Sequence, residues 1–180
     1  MTTDFDVAPL DSYAERITMG IALMGGVLML PALFWFLSQV HFTGVVIPVA
    51  IAVALAAWLL LNYAVQPISY SITADQLVIR RRLARRMRIP LKEIVGVSVA
   101  AALADVPRFG LRRSFNAGVF GYQGPFRLDP YGAVFFVATN RTRLVAIARL
   151  TRPPLILSPA RSREFVEALR ERLMTLPQPE

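Results

Sequence analysis

No charged residue occurs between Arg16 and Asp75, and this run, Ile17–Ala74, constrains the chain more than any other feature. As one straight helix it would extend about 85 Å, nearly three times the hydrocarbon thickness of a bilayer. It must therefore fold back. Ser38, Gln39, His41, Thr43 and Gly44 cluster near its middle, with Pro48 just beyond. They divide it into two apolar stretches, Ile17–Gln39 and Val45–Val65, each long enough to cross, and helices satisfy their own backbone groups in lipid. The expectation is a transmembrane helical hairpin. A secretory leader does not explain the run, because a signal peptide opens on positive charge before a short apolar region. Here Asp4, Asp6, Asp11 and Glu15 precede it, against Arg16 alone.

Small residues set how two such helices would pack. In an antiparallel hairpin Gly25 and Gly26 fall opposite Ala57, where small side chains let backbones approach. Orientation follows from basic flanks. Arg80, Arg81, Arg82, Arg85, Arg86 and Arg88 follow the second stretch, while the turn has no Lys or Arg. That bias places both termini in the cytoplasm and the chain in a bacterial inner membrane.

The expected division is an acidic, mobile tail over 1–16, the hairpin over 17–65, a cytoplasmic domain over 66–174 and a short tail over 175–180. Residues 66–180 suffice for a domain with its own core. Nineteen of the chain's 20 Lys and Arg residues fall there, against eight acids. Such a balance points to an anionic partner: lipid headgroups, nucleic acid or an acidic protein. Cysteine is absent, which removes disulfides, thiolate metal sites and thiol nucleophiles.

After Gln66-Pro67 the pattern changes to alternation. Ile68–Thr73, Gln76–Arg82, Arg86–Leu91, Ile94–Ala100, Ala133–Thr139, Arg143–Arg149 and Pro154–Leu157 read as strands, rich in β-branched and aromatic residues. Ser158-Pro159 reads as an N-cap and first helical position, opening a helix with an apolar stripe of Phe165, Val166, Leu169 and Leu173.

Seven strands followed by one amphipathic helix is the element order of a pleckstrin-homology (PH) barrel. The chain resembles a family of small bacterial membrane proteins in which two N-terminal spans precede a bacterial PH domain. Tyr70-Ser-Ile-Thr-Ala-Asp-Gln-Leu-Val-Ile-Arg80, Ile89-Pro-Leu-Lys-Glu-Ile94, Phe120-Gly-Tyr-Gln-Gly-Pro-Phe-Arg127 and Leu157-Ser-Pro159 carry the likeness, which covers Ile17 to Leu173. The implied fold is a membrane helical hairpin plus an α+β domain, a PH-like seven-stranded barrel or sandwich capped by a C-terminal helix. The implied activity is binding without catalysis. Inositide-binding relatives place basic residues on the first two strands around the first loop. Here the first strand has none, and the loop is Ala74-Asp75.

Two sets of residues are candidates for that binding. If Leu83-Ala84-Arg85 forms a three-residue hairpin loop, Arg82 pairs with Arg86, Arg80 with Arg88 and Ile79 with Ile89. Alternation then turns Arg80, Arg82, Arg86 and Arg88 away from Leu77, Ile79, Met87, Ile89 and Leu91. Like charges across a ladder repel, so an anionic partner would relieve them. The second set is the aromatic, glycine-rich stretch 108–132, with Phe120 and Tyr122 beside Arg112, Arg113 and Arg127. It lacks a Walker or dinucleotide fingerprint. Its rings either plug an open barrel end, or dip into the membrane interface or dock a partner.

Catalysis has little to draw on. His41 is the single histidine, and no metal-ligand or cofactor motif appears. The sequence therefore reads as an accessory or scaffold protein that contacts anionic lipid, another membrane protein, or both. A membrane-tethered nucleic-acid binder is the alternative, without a reader motif to support it.

Overall fold

The computed structural model describes residues 2–39, 42–100, 116–128 and 132–175. Ten strands are present among them: β1 (Thr3–Asp6), β2 (Pro67–Ile72), β3 (Gln76–Arg81), β4 (Met87–Pro90), β5 (Ile94–Val99), β6 (Asn116–Ala117), β7 (Tyr122–Leu128), β8 (Gly132–Ala138), β9 (Val145–Arg149) and β10 (Leu155–Leu157). The helices are α1 (Ser12–Leu23), α2 (Leu30–Gln39), α3 (Phe42–Val65) and α4 (Ser162–Thr175), with a π-helical segment, Met24–Met29, between α1 and α2. One sheet runs β1-β2-β3-β4 and the other β5-β9-β10-β8-β7-β6. Pairing is antiparallel except where β10 lies parallel to β8.

Two cores lie on opposite faces of the second sheet. Between the sheets, Tyr70, Ile72, Leu77, Ile79 and Ile89 meet Val97, Val137, Ile147, Leu155 and Leu157, and α4 closes the layer with Phe165, Val166 and Leu169. On the far face Tyr122, Phe126, Val134, Phe136, Ala138 and Ile156 pack against Ala14 of α1, with Leu10 and Tyr13 beside it. This explains why β8 reads as an unbroken apolar run. Val137 serves one core and Val134, Phe136 and Ala138 the other, so both faces of the strand are covered.

The N-terminal segment belongs to this architecture. Thr3–Asp6 pairs with β2 from Thr3↔Ile72 to Asp6↔Ser69. Phe5 enters the inter-sheet core edge-on to Phe165, with ring centroids 5.2 Å apart. The stretch read as a mobile acidic tail is thus an edge strand, and the core of the domain is completed by residues far upstream of position 66.

The transmembrane hairpin is not found. Among the described residues, no helix is long and apolar enough to cross a membrane. The first expected span is divided into α1 of 12 residues, the π segment of six and α2 of 10. The π segment ends just before Pro31, whose nitrogen has no hydrogen to give the helical ladder. α1 is also committed elsewhere. Asp11 caps it, accepting from the backbone amides of Tyr13 and Ala14, and Ala14 is wholly buried against the second sheet. The inner-membrane placement, and the topology drawn from the arginine flanks, lose their premise with the hairpin. His41 lies outside the described residues.

Ser158 also departs from its expected role. α4 begins at Ser162, and the buried Ser158 hydroxyl accepts from the Thr139 amide (2.8 Å). The neighbouring Tyr70 hydroxyl donates to the Val137 carbonyl (2.9 Å) and accepts from the Ser158 amide (3.3 Å). Burial pushes the Tyr70 phenol up to about 12, against a partial opposing effect of Ser158. An unfolded tyrosine titrates near 10. Folding therefore favours the neutral phenol, and the contribution is fully present below about pH 10. It should fall on the order of 2 kcal/mol as pH rises from about 10 to 12. Urea midpoints compared across that window, with Tyr70→Phe as control, check it. An equal decline in the variant would remove Tyr70 as the cause.

Candidate anion-binding faces

The outer face of the first sheet is built by alternation. Leu77 and Ile79 on β3, and Ile89 on β4, point into the core, so Arg80 and Arg88 point out, and both are exposed. The hairpin register differs from the expected one. Leu77 opposes Ile89, Val78 opposes Arg88 and Ile79 opposes Met87. The loop is longer, from Arg82 to Arg86. The slip is two residues, one full side-chain period, so each residue keeps its face. Arg86 is exposed at the loop's end, with Arg85 beside it.

Arg82 leaves the set. Its backbone amide donates to the Gln66 carbonyl (2.9 Å), Nε to Gln66 Oε1 and Nη1 to the Tyr63 hydroxyl (both 3.1 Å). The guanidinium also lies 4.6 Å from the centre of the Tyr63 ring. The Leu83 and Ala84 amides both donate to the Ala64 carbonyl (3.0 and 2.9 Å). Together they satisfy the carbonyl end of α3, where a cation is favoured. Arg82 is thus a joint between α3 and the sheet. Arg81 is half-buried, with burial lowering its affinity for the proton.

On the same outer face, β1 contributes exposed Asp4 and Asp6, opposite Ser71 and Ser69. Ser69 in turn opposes Arg80. Asp6, Ser69 and Arg80 thus form a cross-strand row, with the carboxylate about 10 Å from the arginine at backbone level. The face grades from acidic at β1 to basic at β3 and β4. The linear pattern hid this, because the acids lie more than 60 residues upstream.

The aromatic set is turned to other work. Arg112 and Arg113 lie outside the described residues; Arg127 is exposed on β7, opposite Ala133. Phe120 adopts a positive φ of 55°. Its amide donates to Thr18 Oγ1 (2.9 Å), and its ring meets Tyr63 edge-on at 5.4 Å. Tyr63 is therefore clamped between Phe120 and Arg82. Tyr122 is buried and its hydroxyl donates to Asp11 Oδ1 (3.1 Å). Burial first, then the Asp11 carboxylate, pushes its phenol well above the usual range, so it stays a donor. Asp11 Oδ2 accepts from the backbone amide and Nε of Arg141 (3.0 and 3.3 Å). The Arg141 guanidinium stacks on the Tyr13 and Tyr122 rings at 4.6 and 5.3 Å. This node fastens α1 to the second sheet.

Gly121 fixes the turn. Its φ is +120°, and an added Cβ would lie 2.7 Å from the Ala138 carbonyl oxygen. Gly121→Ala should cost several kcal/mol, since backbone cannot yield as a side-chain tip can; an unchanged urea midpoint would contradict this.

Among the described residues no contact joins the helix-packing set. A Cβ built at Gly25 meets nothing within 4 Å, Ala57 is exposed, and the surroundings of Gly26 fall outside the described side chains. Among the described residues no group of three His, Cys, Asp or Glu comes together.

One basic site has no signature in the sequence. A cavity of about 380 Å³ lies between Val99, the approach to β9 at Arg143 and Leu144, and the first turn of α4 with Arg161, Arg163 and Glu164. Arg143 and Arg163 are 20 positions apart along the chain, and Val99 lies farther upstream, at the end of β5. They meet because β10 runs antiparallel to β9 and delivers the chain to α4 beside the start of β9.

No curated protein matches the chain, and no solved structure does. The family model for the bacterial PH domain matches residues 68–173. That match takes in β2 through nearly all of α4, more than half of the sequence, and so the chain belongs to the bacterial PH-domain family.

Proposed function

We propose that this protein is a non-enzymatic recognition module whose PH domain contacts anionic lipid headgroups through Arg80, Arg86 and Arg88. One observation carries the reading. The three arginines are exposed on or beside one outer sheet face, and none has an ion-pair partner among the described residues. Each arginine near an anionic surface is worth about 1 kcal/mol, so three supply on the order of a hundredfold in affinity. That can orient the domain without anchoring it firmly.

Flotation of the full chain with phosphatidylglycerol and with phosphatidylcholine vesicles tests the reading. The excess binding to anionic vesicles should fall as salt rises from 50 to 300 mM, and Arg80→Gln/Arg86→Gln/Arg88→Gln should remove most of it. Equal loss from the same number of arginines on α4 would leave only net charge as the cause. Tighter retention of duplex DNA than of anionic vesicles would favour nucleic acid instead.

A second reading, an accessory subunit that docks a partner protein, draws on α2. Phe34 and Trp35 there are 71% and 70% exposed, two adjacent large apolar rings rather than scattered single ones, which is the kind of feature that marks an interaction site when it is part of a patch. A photo-crosslinker at position 35 should then give one discrete heteromeric product, and a smear or none would count against it.

A further inference from the structure

We propose that the cleft between the second sheet and α4 binds a small phosphomonoester, seated between Arg143 and Arg163. It is separate from the Arg80–Arg88 face, which belongs to the outer side of the first sheet, and does not depend on that reading. Charge comes first. Arg143, Arg161 and Arg163 line one cavity with a single carboxylate, Glu164. Arg161 holds that carboxylate at 2.7 Å, so neither Arg143 nor Arg163 has an ion-pair partner among the described residues. Arg143 and Arg163 approach one open groove from its sheet side and its helix side; like charges facing a common space repel, and an anion between them removes the cost.

Geometry comes second. Arg143 is braced, since its Nη1 donates to the Ala160 carbonyl (3.1 Å). That bond uses one of five donors and leaves the rest of the guanidinium fork for a ligand. A dianionic phosphate has enough oxygens for two forks, which is the match that arginine makes better than lysine. Size and lining set the rest of the ligand. About 380 Å³ is at the lower end of small-ligand cavities. Val99 and Leu144 offer an apolar floor to the carbon skeleton of the ester. A phosphomonoester of a few carbons fits, whether free in solution or as the headgroup of phosphatidic acid.

Calorimetric titration of the full chain at 150 mM salt separates these sources and tests the site. Glycerol 3-phosphate is the free probe and dioctanoyl phosphatidic acid the lipid probe, with succinate as a dianion lacking phosphorus. The expected result is saturable one-to-one binding of at least one phosphate probe, and weak or no binding of succinate. Binding of both phosphate probes assigns the site to the phosphomonoester itself; binding of the lipid alone assigns it to a headgroup. Arg163→Gln, at an exposed position, should weaken binding about tenfold or more, and Arg143→Gln/Arg163→Gln should abolish it. Arg143→Lys, which keeps charge and loses the fork, guards against a folding defect in the double variant. Arg80→Gln/Arg88→Gln should leave the affinity unchanged. The proposal is overturned if neither phosphate probe binds, if succinate binds as tightly, or if the sheet-face variant loses as much as the cleft variant.

Discussion

Phe5→Ala should destabilise the protein by about 3–5 kcal/mol, the cost of emptying a buried aromatic site that cannot collapse. The ring is 4% exposed and edge-on to Phe165, which also meets Tyr70 edge-on at 6.0 Å. Its strand is held along its length. The Ala160 amide donates to the Asp6 carbonyl (2.9 Å), and the Ala8 amide donates to the Ser158 carbonyl (2.8 Å). Thr139 Oγ1 donates to the Ala8 carbonyl, and Asn140 Nδ2 to the Pro9 carbonyl. A domain has about 5–15 kcal/mol of net stability, so this one ring is a large share of it. Deleting residues 1–11 removes the ring, the β1 ladder and the cap of α1 together. The truncated chain should show no cooperative urea transition, and a fragment beginning at residue 66 should fare no better. A sharp transition with near-native midpoint in either would show that the N-terminal strand is an ornament on an autonomous domain.

Seven strands were expected and ten are present among the described residues. β2 to β5, β9 and β10 were legible from alternation or β-rich composition and β8 from its apolar run, whereas β6 and β7 were hidden in the stretch read as aromatic and glycine-rich. Leu77, Ile79 and Ile89 announce a sheet surface whatever their partners are, which is why a two-residue error in hairpin register left the arginine face in place. β1 was not legible for the opposite reason. Thr3-Asp-Phe-Asp offers one apolar residue among acids, and only the distant edge of β2 makes it a strand. Composition around Phe5 read as a solvated tail; burial was decided by a partner more than 60 residues away.

The long uncharged run shows the limit of hydropathy. Its summed apolarity does not reveal that Asp11 starts a helix before it, that Ala14 is spent on the second sheet, or that a π segment interrupts it. The placement of the arginines divided along similar lines. That Arg80 and Arg88 face outward was accessible to periodicity, and Arg86 is exposed beside them. Arg82 was not, because its partners Tyr63 and Gln66 belong to the end of α3 rather than to the hairpin. The cleft of Arg143 and Arg163 left no linear trace, since β10 alone brings its two halves together.

Asp11 should be among the most sensitive polar positions in the chain, although an isolated helix cap is worth only about 1 kcal/mol. Its two oxygens accept from the Tyr13 and Ala14 amides, the Tyr122 hydroxyl, and both the backbone and side chain of Arg141. The Arg141 and Asp11 side chains are only 17% and 9% exposed. Asp11→Ala therefore strands a mostly buried guanidinium, and breaking such a pair from one side costs about 3–5 kcal/mol. Asp11→Asn keeps an oxygen for the helix amides but loses the charge, so it should cost less, about 1–3 kcal/mol. Arg141→Met removes the stranded cation while its chain still packs between Tyr13 and Tyr122. Added to Asp11→Ala it should restore part of the loss, giving a coupling of 1 kcal/mol or more in a double-mutant cycle. If Asp11→Ala costs no more than a cap and the two changes simply add, Arg141 does not depend on Asp11. The attachment of α1 to the second sheet would then rest on Ala14 and its apolar neighbours alone.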